Sequence, residues 1–201
     1  MRRASFLFLA LAALFATPAL AAEGFPTTLA GFTLGESVEH YEDYCRTEEA
    51  IPVSDWPFLS EAQLKPENLP GVRGGSLAFG NCLGDKRLVR IKLKFNDHSQ
   101  RLFNRLYDRY EADFGKPDKY LGDAFKNVIA WEWLFQDGKG GRVSLVLMWS
   151  REKEVRPGVS IKMTQETYMD EEHACYKAKS KDSMGKMGKA RIGSLDAYVP
   201  R

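Results

Sequence analysis

Long apolar runs, histidine, cysteine and any excess of basic charge are all scarce in this chain, and each scarcity removes a class of function. After the first fifteen residues no stretch approaches the roughly 20 consecutive apolar residues of a membrane-spanning helix, so no transmembrane segment is expected beyond the N-terminus. The three histidines, His40, His98 and His173, stand in charged surroundings without a nucleophile motif such as GxSxG beside them. The three cysteines, Cys45, Cys82 and Cys175, form no CxxC redox pair. Lysine and arginine total 29 against 27 acidic residues, and two of the basic residues are Arg2 and Arg3 at the very start. The basic balance that marks nucleic-acid binding is therefore missing.

What is present begins with a leader. Arg2 and Arg3 precede an apolar run from Phe6 to Phe15 and a small-residue site at Ala19-Leu20-Ala21, the pattern of a cleaved signal peptide over residues 1–22. A periplasmic or secreted location follows, in which two cysteines are expected to pair and one to remain. Three pairings are open. Cys45 with Cys82 is favoured, because the loop-rich stretch between them gains most from a staple, and Cys175 is then left buried or bridging two copies. Residues 23–178 suit one domain, or two divergent halves split near 71–76. Residues 179–201 read as a basic flexible tail, since from Lys177 onward seven Lys or Arg face only Asp182 and Asp196.

The periodicity of the middle of the chain predicts an α+β fold: an antiparallel sheet of about five strands (76–82, 88–95, 128–136, 142–150, 158–164) with helices (37–46, 99–114, 165–178) on a face. Val89, Ile91, Leu93 and Phe95 alternate with Arg90, Lys92 and Lys94, the rhythm of a half-buried strand. Phe103, Leu106, Tyr107, Tyr110 and Phe114 recur at helical spacing between Ser99 and Gly115-Lys116-Pro117. Residues 47–71, with four prolines, read as an irregular connection.

The stretch IAWEWLFQDGKGGRVSLVLMWS (129–150) reads as a hairpin with residues 137–141 as its loop. Setting Gln136 opposite Arg142 places Ile129, Trp131, Trp133, Phe135, Val143, Leu145, Leu147 and Trp149 on one side. That face is expected to be core beneath the 99–114 helix. The reverse side, with Ala130, Val146 and Met148, is apolar enough to need a cover, either the segment around Trp56 and Phe58 or a partner. Candidate binding residues are therefore Val146 and Met148, together with the basic stripe Arg90, Lys92 and Lys94, to which Lys162 adds. The stripe suits an anionic partner, although a solvated sheet face reads the same way.

Residues 170–176, DEEHACY, bring together carboxylates, an imidazole and a thiol. Glu171, Glu172 and His173 are consecutive, so on a helix they diverge, and no metal site is expected; only Glu171 or Glu172 shares a face with Cys175. Neither a cofactor nor a catalytic residue is selected.

At GFTLGESVEHY and FGKPDKY…WEWLF the chain resembles small exported bacterial α+β domains of the BamE and β-lactamase-inhibitor-protein type. Gly31 to Gly35 match the first element, Phe114 to Pro117 the second, and Trp131, Trp133 and Phe135 the third. The resemblance covers about a third of the mature chain, lacks a lipoprotein cysteine, and implies a non-enzymatic envelope or protein-binding module. The resulting expectation is an exported protein that binds another envelope protein or an anionic envelope component. A small periplasmic hydrolase built from Glu132, His98 and loop acids is the rival, and an enzyme inhibitor presenting the GKGG loop or the Trp56 segment is a third reading.

Overall fold

Strands β6 (Leu88–Phe95) and β10 (Gly158–Gln165) lie side by side and antiparallel at the centre of an eight-stranded sheet. On one side of this pair β5 (Val72–Gly80), β4 (Trp56–Gln63) and β3 (Ile51–Val53) follow outward. On the other come β9 (Arg142–Ser150), β8 (Val128–Gln136) and β7 (Lys119–Tyr120). Every neighbouring pair is antiparallel, so the chain makes two meanders, each followed by a helix: α1 (Gln100–Phe114) after β6 and α2 (Glu166–Met184) after β10. A small ribbon of β1 (Thr28–Leu29) and β2 (Phe32–Thr33) precedes them. A computed structural model describes residues 25–152 and 157–184. The leader expected at 1–22 lies outside these residues, as does most of the tail expected at 179–201.

The five expected strands are all present, as β5, β6, β8, β9 and β10, but the sheet has eight. The eight-residue β4 runs through the stretch read as irregular. Its Pro57 is exposed and precedes the pairing with β5, which starts at Leu59 opposite Gly80, while Pro52 sits in the edge strand β3. Proline is tolerated at such positions because no ladder donor is needed there. The helix expected at 37–46 is a single 3-10 turn, Val38–Tyr41. Val38, Tyr41 and Cys45 are nonetheless all buried, as their spacing required. The division expected near 71–76 falls at the start of β5, inside the first meander.

The hairpin of β8 and β9 has the expected register, from Gln136 opposite Arg142 to Ile129 opposite Trp149. Its aromatic face is core: Trp133 is 1% exposed and Leu147 fully buried. Tyr107 packs on Trp131 and Trp133, Tyr110 meets Trp133 edge-on, and Phe114 meets Phe135 edge-on, so α1 is the cover. Two indole N–H groups fix both ends of that helix. Trp149 donates to the carbonyl of His98, just before α1, and Trp133 donates to the carbonyl of Gly115, just after it. Truncating a buried tryptophan costs about 3–5 kcal/mol, and here it would also release a helix end.

The helices do not share a face, contrary to expectation. Arg90 pairs with Thr164, which pairs with Ser144, so these point away from the aromatic face, and α2 packs on that second side against Phe58, Leu59 and Val89 through Tyr168 and Met169. The reason is the sheet itself: β6 presents Ile91 and Leu93 to one side and Val89 to the other, across the bulge near Ala78 and Phe79.

The cysteine pairing also differs. Cys82 is joined to Cys175, and Cys45 is the free thiol, fully buried. Cys45 is enclosed beneath the sheet's first face, whereas Cys82 stands in the β5–β6 turn directly against α2. Burial pushes the Cys45 thiol up to about 11, which keeps it protonated and unreactive at neutral pH. Alkylation of the native, unreduced protein is expected to leave Cys45 unmodified, with labelling only after denaturation, and a peptide map should recover Cys82 bonded to Cys175. A native protein labelled at Cys45 would contradict this arrangement.

Candidate functional site

α2 crosses the second face of the sheet and encloses with β4 an open cleft of about 360 Å³. The stripe that lines it follows from helical spacing. Glu166, Met169, Asp170, His173 and Tyr176 recur at three- and four-residue steps and so share one side of α2. Trp56, Pro57 and Phe58 of β4, with Asp55 from the preceding turn, form the opposite wall. His173 stacks on Phe58 at 5.0 Å between ring centroids, and Tyr176 tilts against the same ring at 6.2 Å. Three carboxyl-bearing side chains therefore share the cleft with three aromatic ones and an imidazole.

Arg90 supports this wall. Its guanidinium lies 4.2 Å from the centre of the Trp56 ring, donates through Nε to Thr164 Oγ1 at 3.2 Å, and contacts Met169 Sδ through Nη2 at 3.4 Å. Such partners compensate the partial burial of the guanidinium. Burial lowers its pKa, against the opposing attraction of Glu166 and Glu61. Glu166 shows the converse: burial raises its carboxyl above 4.5, partly opposed by Arg90 and Lys162, while Asp170 and Glu132 add to the rise.

The other side of α2 is anchored to the β5–β6 turn, and Cys82 is its centre. The Cys82 amide donates to Glu172 Oε2 at 2.8 Å, its carbonyl accepts from Lys179 Nζ at 2.7 Å, and its sulfur is bonded to Cys175. Glu172 and Cys175, three residues apart, do share a face as their spacing requires. Arg87 adds an ion pair to Glu171 and lies 4.3 Å over the Tyr168 ring. Glu172 is fully buried with Oε1 unpaired. Gly80 is packed directly on its carboxylate, where any β-carbon would collide. The start of α2 is held separately: Arg142 pairs with Asp170, and Thr167 Oγ1 accepts the Arg142 amide at 2.9 Å and donates to the Gly140 carbonyl.

The expected binding residues all fall on this second face of the sheet. Lys92 pairs with Lys162 and Lys162 with Val146, while Lys94 pairs with Ser160 and Ser160 with Met148. The basic stripe and the reverse side of the hairpin thus meet through β10. Their availability is less than expected. Arg90 is engaged by Trp56 and Thr164, Val146 is only 7% exposed, and Lys92, Lys94 and Met148 are half-buried. The Trp56 and Phe58 segment covers the β4 and β6 half of this face together with α2, not the hairpin.

The hydrolase grouping is not assembled. Glu132 accepts from Ser144 Oγ at 2.6 Å in the row of Lys162, whereas the His98 ring lies against Gly158, four residues along β10, roughly 13 Å away along the strands and two strands across. The GKGG loop is tied back to α2 through Gly140. Among the described residues no group of three or more His, Cys, Asp or Glu side chains is placed to hold a metal ion, and no helix is long and apolar enough to cross a membrane. The α2 stripe itself was missed in the sequence, although reading Glu166, Asp170 and His173 at steps of four and three residues would have found it.

Compared with protein-family models, with curated proteins and with solved structures, the chain matches none.

Because burial holds the Glu166 carboxyl above its ordinary value, ionising it is less favourable in the folded than in the unfolded protein. Stability from this group is therefore lost as pH rises through the window from 4.5 upward. Glu166→Gln is expected to raise the melting temperature at pH 7, and the gain should shrink as pH falls towards 4.5. A gain of equal size at both pH values, in thermal melts, would show that the charge is not the cause.

Proposed function

We propose that this is an exported envelope protein, not an enzyme, and that it binds a basic segment of a partner protein in the cleft between α2 and β4. The observation that carries the reading is the composition of the cleft wall: Asp55 and Glu166, with Asp170 beside them ion-paired to Arg142, set among Trp56, Phe58 and Tyr176. Carboxylates attract a lysine or arginine, and aromatic faces contact both its charge and its methylene stem. The signal-peptide pattern and the disulfide support export. The loss of Arg90 to Trp56 leaves an anionic partner on β6 with less support than a cationic one in the cleft.

A fluorescent arginine- and lysine-rich octapeptide titrated into residues 23–201 tests this by anisotropy. Asp55 is exposed, so Asp55→Lys should leave the melting temperature alone and weaken binding by up to about fivefold, given roughly 0.2–1 kcal/mol for an exposed charge interaction. Tyr176→Ser should weaken it as well. Unchanged affinity in both variants would remove the cleft from consideration, and cleavage of the peptide would favour the hydrolase reading.

A further inference from the structure

We propose that the turn between β7 and β8 is a docking point for an anionic bilayer surface, with Phe125 as the inserting side chain. Phe125 is 84% exposed, more than any other large apolar residue described. Its exposure is built in rather than incidental. The Asp123 carboxylate accepts the amides of Phe125 at 2.7 Å, Asn127 at 3.2 Å and, more closely, Val128, while Asp123 N–H donates to the Val128 carbonyl at 3.0 Å. Tyr120 Oη closes the base of the turn, donating to the carbonyls of Asp123 and Val128 at 3.1 and 3.3 Å. Lys126 takes a left-handed φ of 56° to complete it. A turn organised by so many bonds holds the phenyl ring out instead of letting it fold onto the sheet.

The charges around it are sorted. Asp123 is turned onto the turn's own amides, which lower its pKa, and Asp118 is turned onto the Leu134 amide at 2.7 Å. Lys116, Lys119 and Lys126 along the same segment are exposed. Asp118 and Asp123 thus each direct a carboxylate oxygen at backbone amides, while the three lysines of the segment are exposed. Leu121, 41% exposed, and Tyr120, 38% exposed, extend the apolar surface along the sheet edge. A single ring on a narrow turn, flanked by lysines, suits insertion between lipid headgroups. A protein interface of ordinary size needs a broad patch of roughly 800 Å² on each partner, which such a convex tip does not offer.

The test is cosedimentation of residues 23–201, which retain every described residue, with vesicles of phosphatidylcholine alone or phosphatidylcholine with one quarter phosphatidylglycerol. Binding is expected to the anionic vesicles only. Phe125→Ser should reduce the bound fraction's partition coefficient about tenfold at unchanged melting temperature, as loss of one inserted ring implies. Lys119→Glu with Lys126→Glu should abolish the preference for phosphatidylglycerol. The proposal is overturned if the protein binds neither vesicle or both equally. It is overturned equally if Phe125→Ser binds as well as the parent, which would assign the attraction to the basic C-terminal segment.

Discussion

The antiparallel contact between β6 and β10 is the constraint on which everything else rests. The two strands are separated by α1 and three further strands in the chain, yet their side chains are paired from Arg90 with Thr164 to Lys94 with Ser160. Once that register is set, Ile91, Leu93, Ile161 and Met163 face one side and Arg90, Lys92, Lys162 and Thr164 the other. The first side becomes an almost entirely apolar surface for α1 and the N-terminal segment. The second is polar at its middle, so α2 can only bury itself towards β4, where Phe58, Leu59 and Val89 are gathered. A slip of one residue would exchange the two faces, burying three lysines under α1.

The position of α2 explains why a cleft exists at all. A helix lying over the centre of this face would have to bury Lys92 and Lys162, at a desolvation cost that no contact there repays. Displaced towards β4, it meets aromatic side chains on one flank and the β5–β6 turn on the other. The turn side is closed by the disulfide, by Glu172 and by Lys179. On the β4 side Trp56, engaged by Arg90, lines the open cleft opposite the helix. The same cation that resembled part of an anion-binding stripe is thereby a structural brace for an acidic cleft.

The long periodic elements were legible because each carries a stripe of large apolar side chains at the period of its element. β6, β8, β9 and α1 all show one, even though the reverse side of the hairpin is partly buried as well, and the hairpin register follows from requiring that Trp131, Trp133 and Trp149 share a side with Leu145 and Leu147. Elements stabilised by non-local contacts were not legible. β4 contains a proline and gains its strand character only from β5, and β7 is two residues long and depends on β8. α2 shows weak amphipathicity because it is committed on two flanks, with Tyr168, Glu172 and Cys175 towards the turn and Glu166, Met169 and His173 towards β4. For the same reason neither the cleft nor the Cys82–Cys175 bond could be read from spacing: both depend on where α2 lands. The acidic run around His173 looked like an unconvincing metal site, and its members in fact serve different flanks.

The bond between Cys82 and Cys175 spans 93 residues of chain, and that span encloses β6, α1 and the whole second meander. The central strand pair therefore lies inside a covalent ring, with β3, β4 and β5 outside it. A single backbone cut in the loop at 137–141 opens the ring without separating the pieces, which stay tethered through the sulfur atoms. In a compartment containing proteases but few reductants, such a molecule survives one nick as a single body. Tension applied to its two ends would likewise pass through the sulfur bridge, so the chain between Cys82 and Cys175 could not be drawn out to its full length.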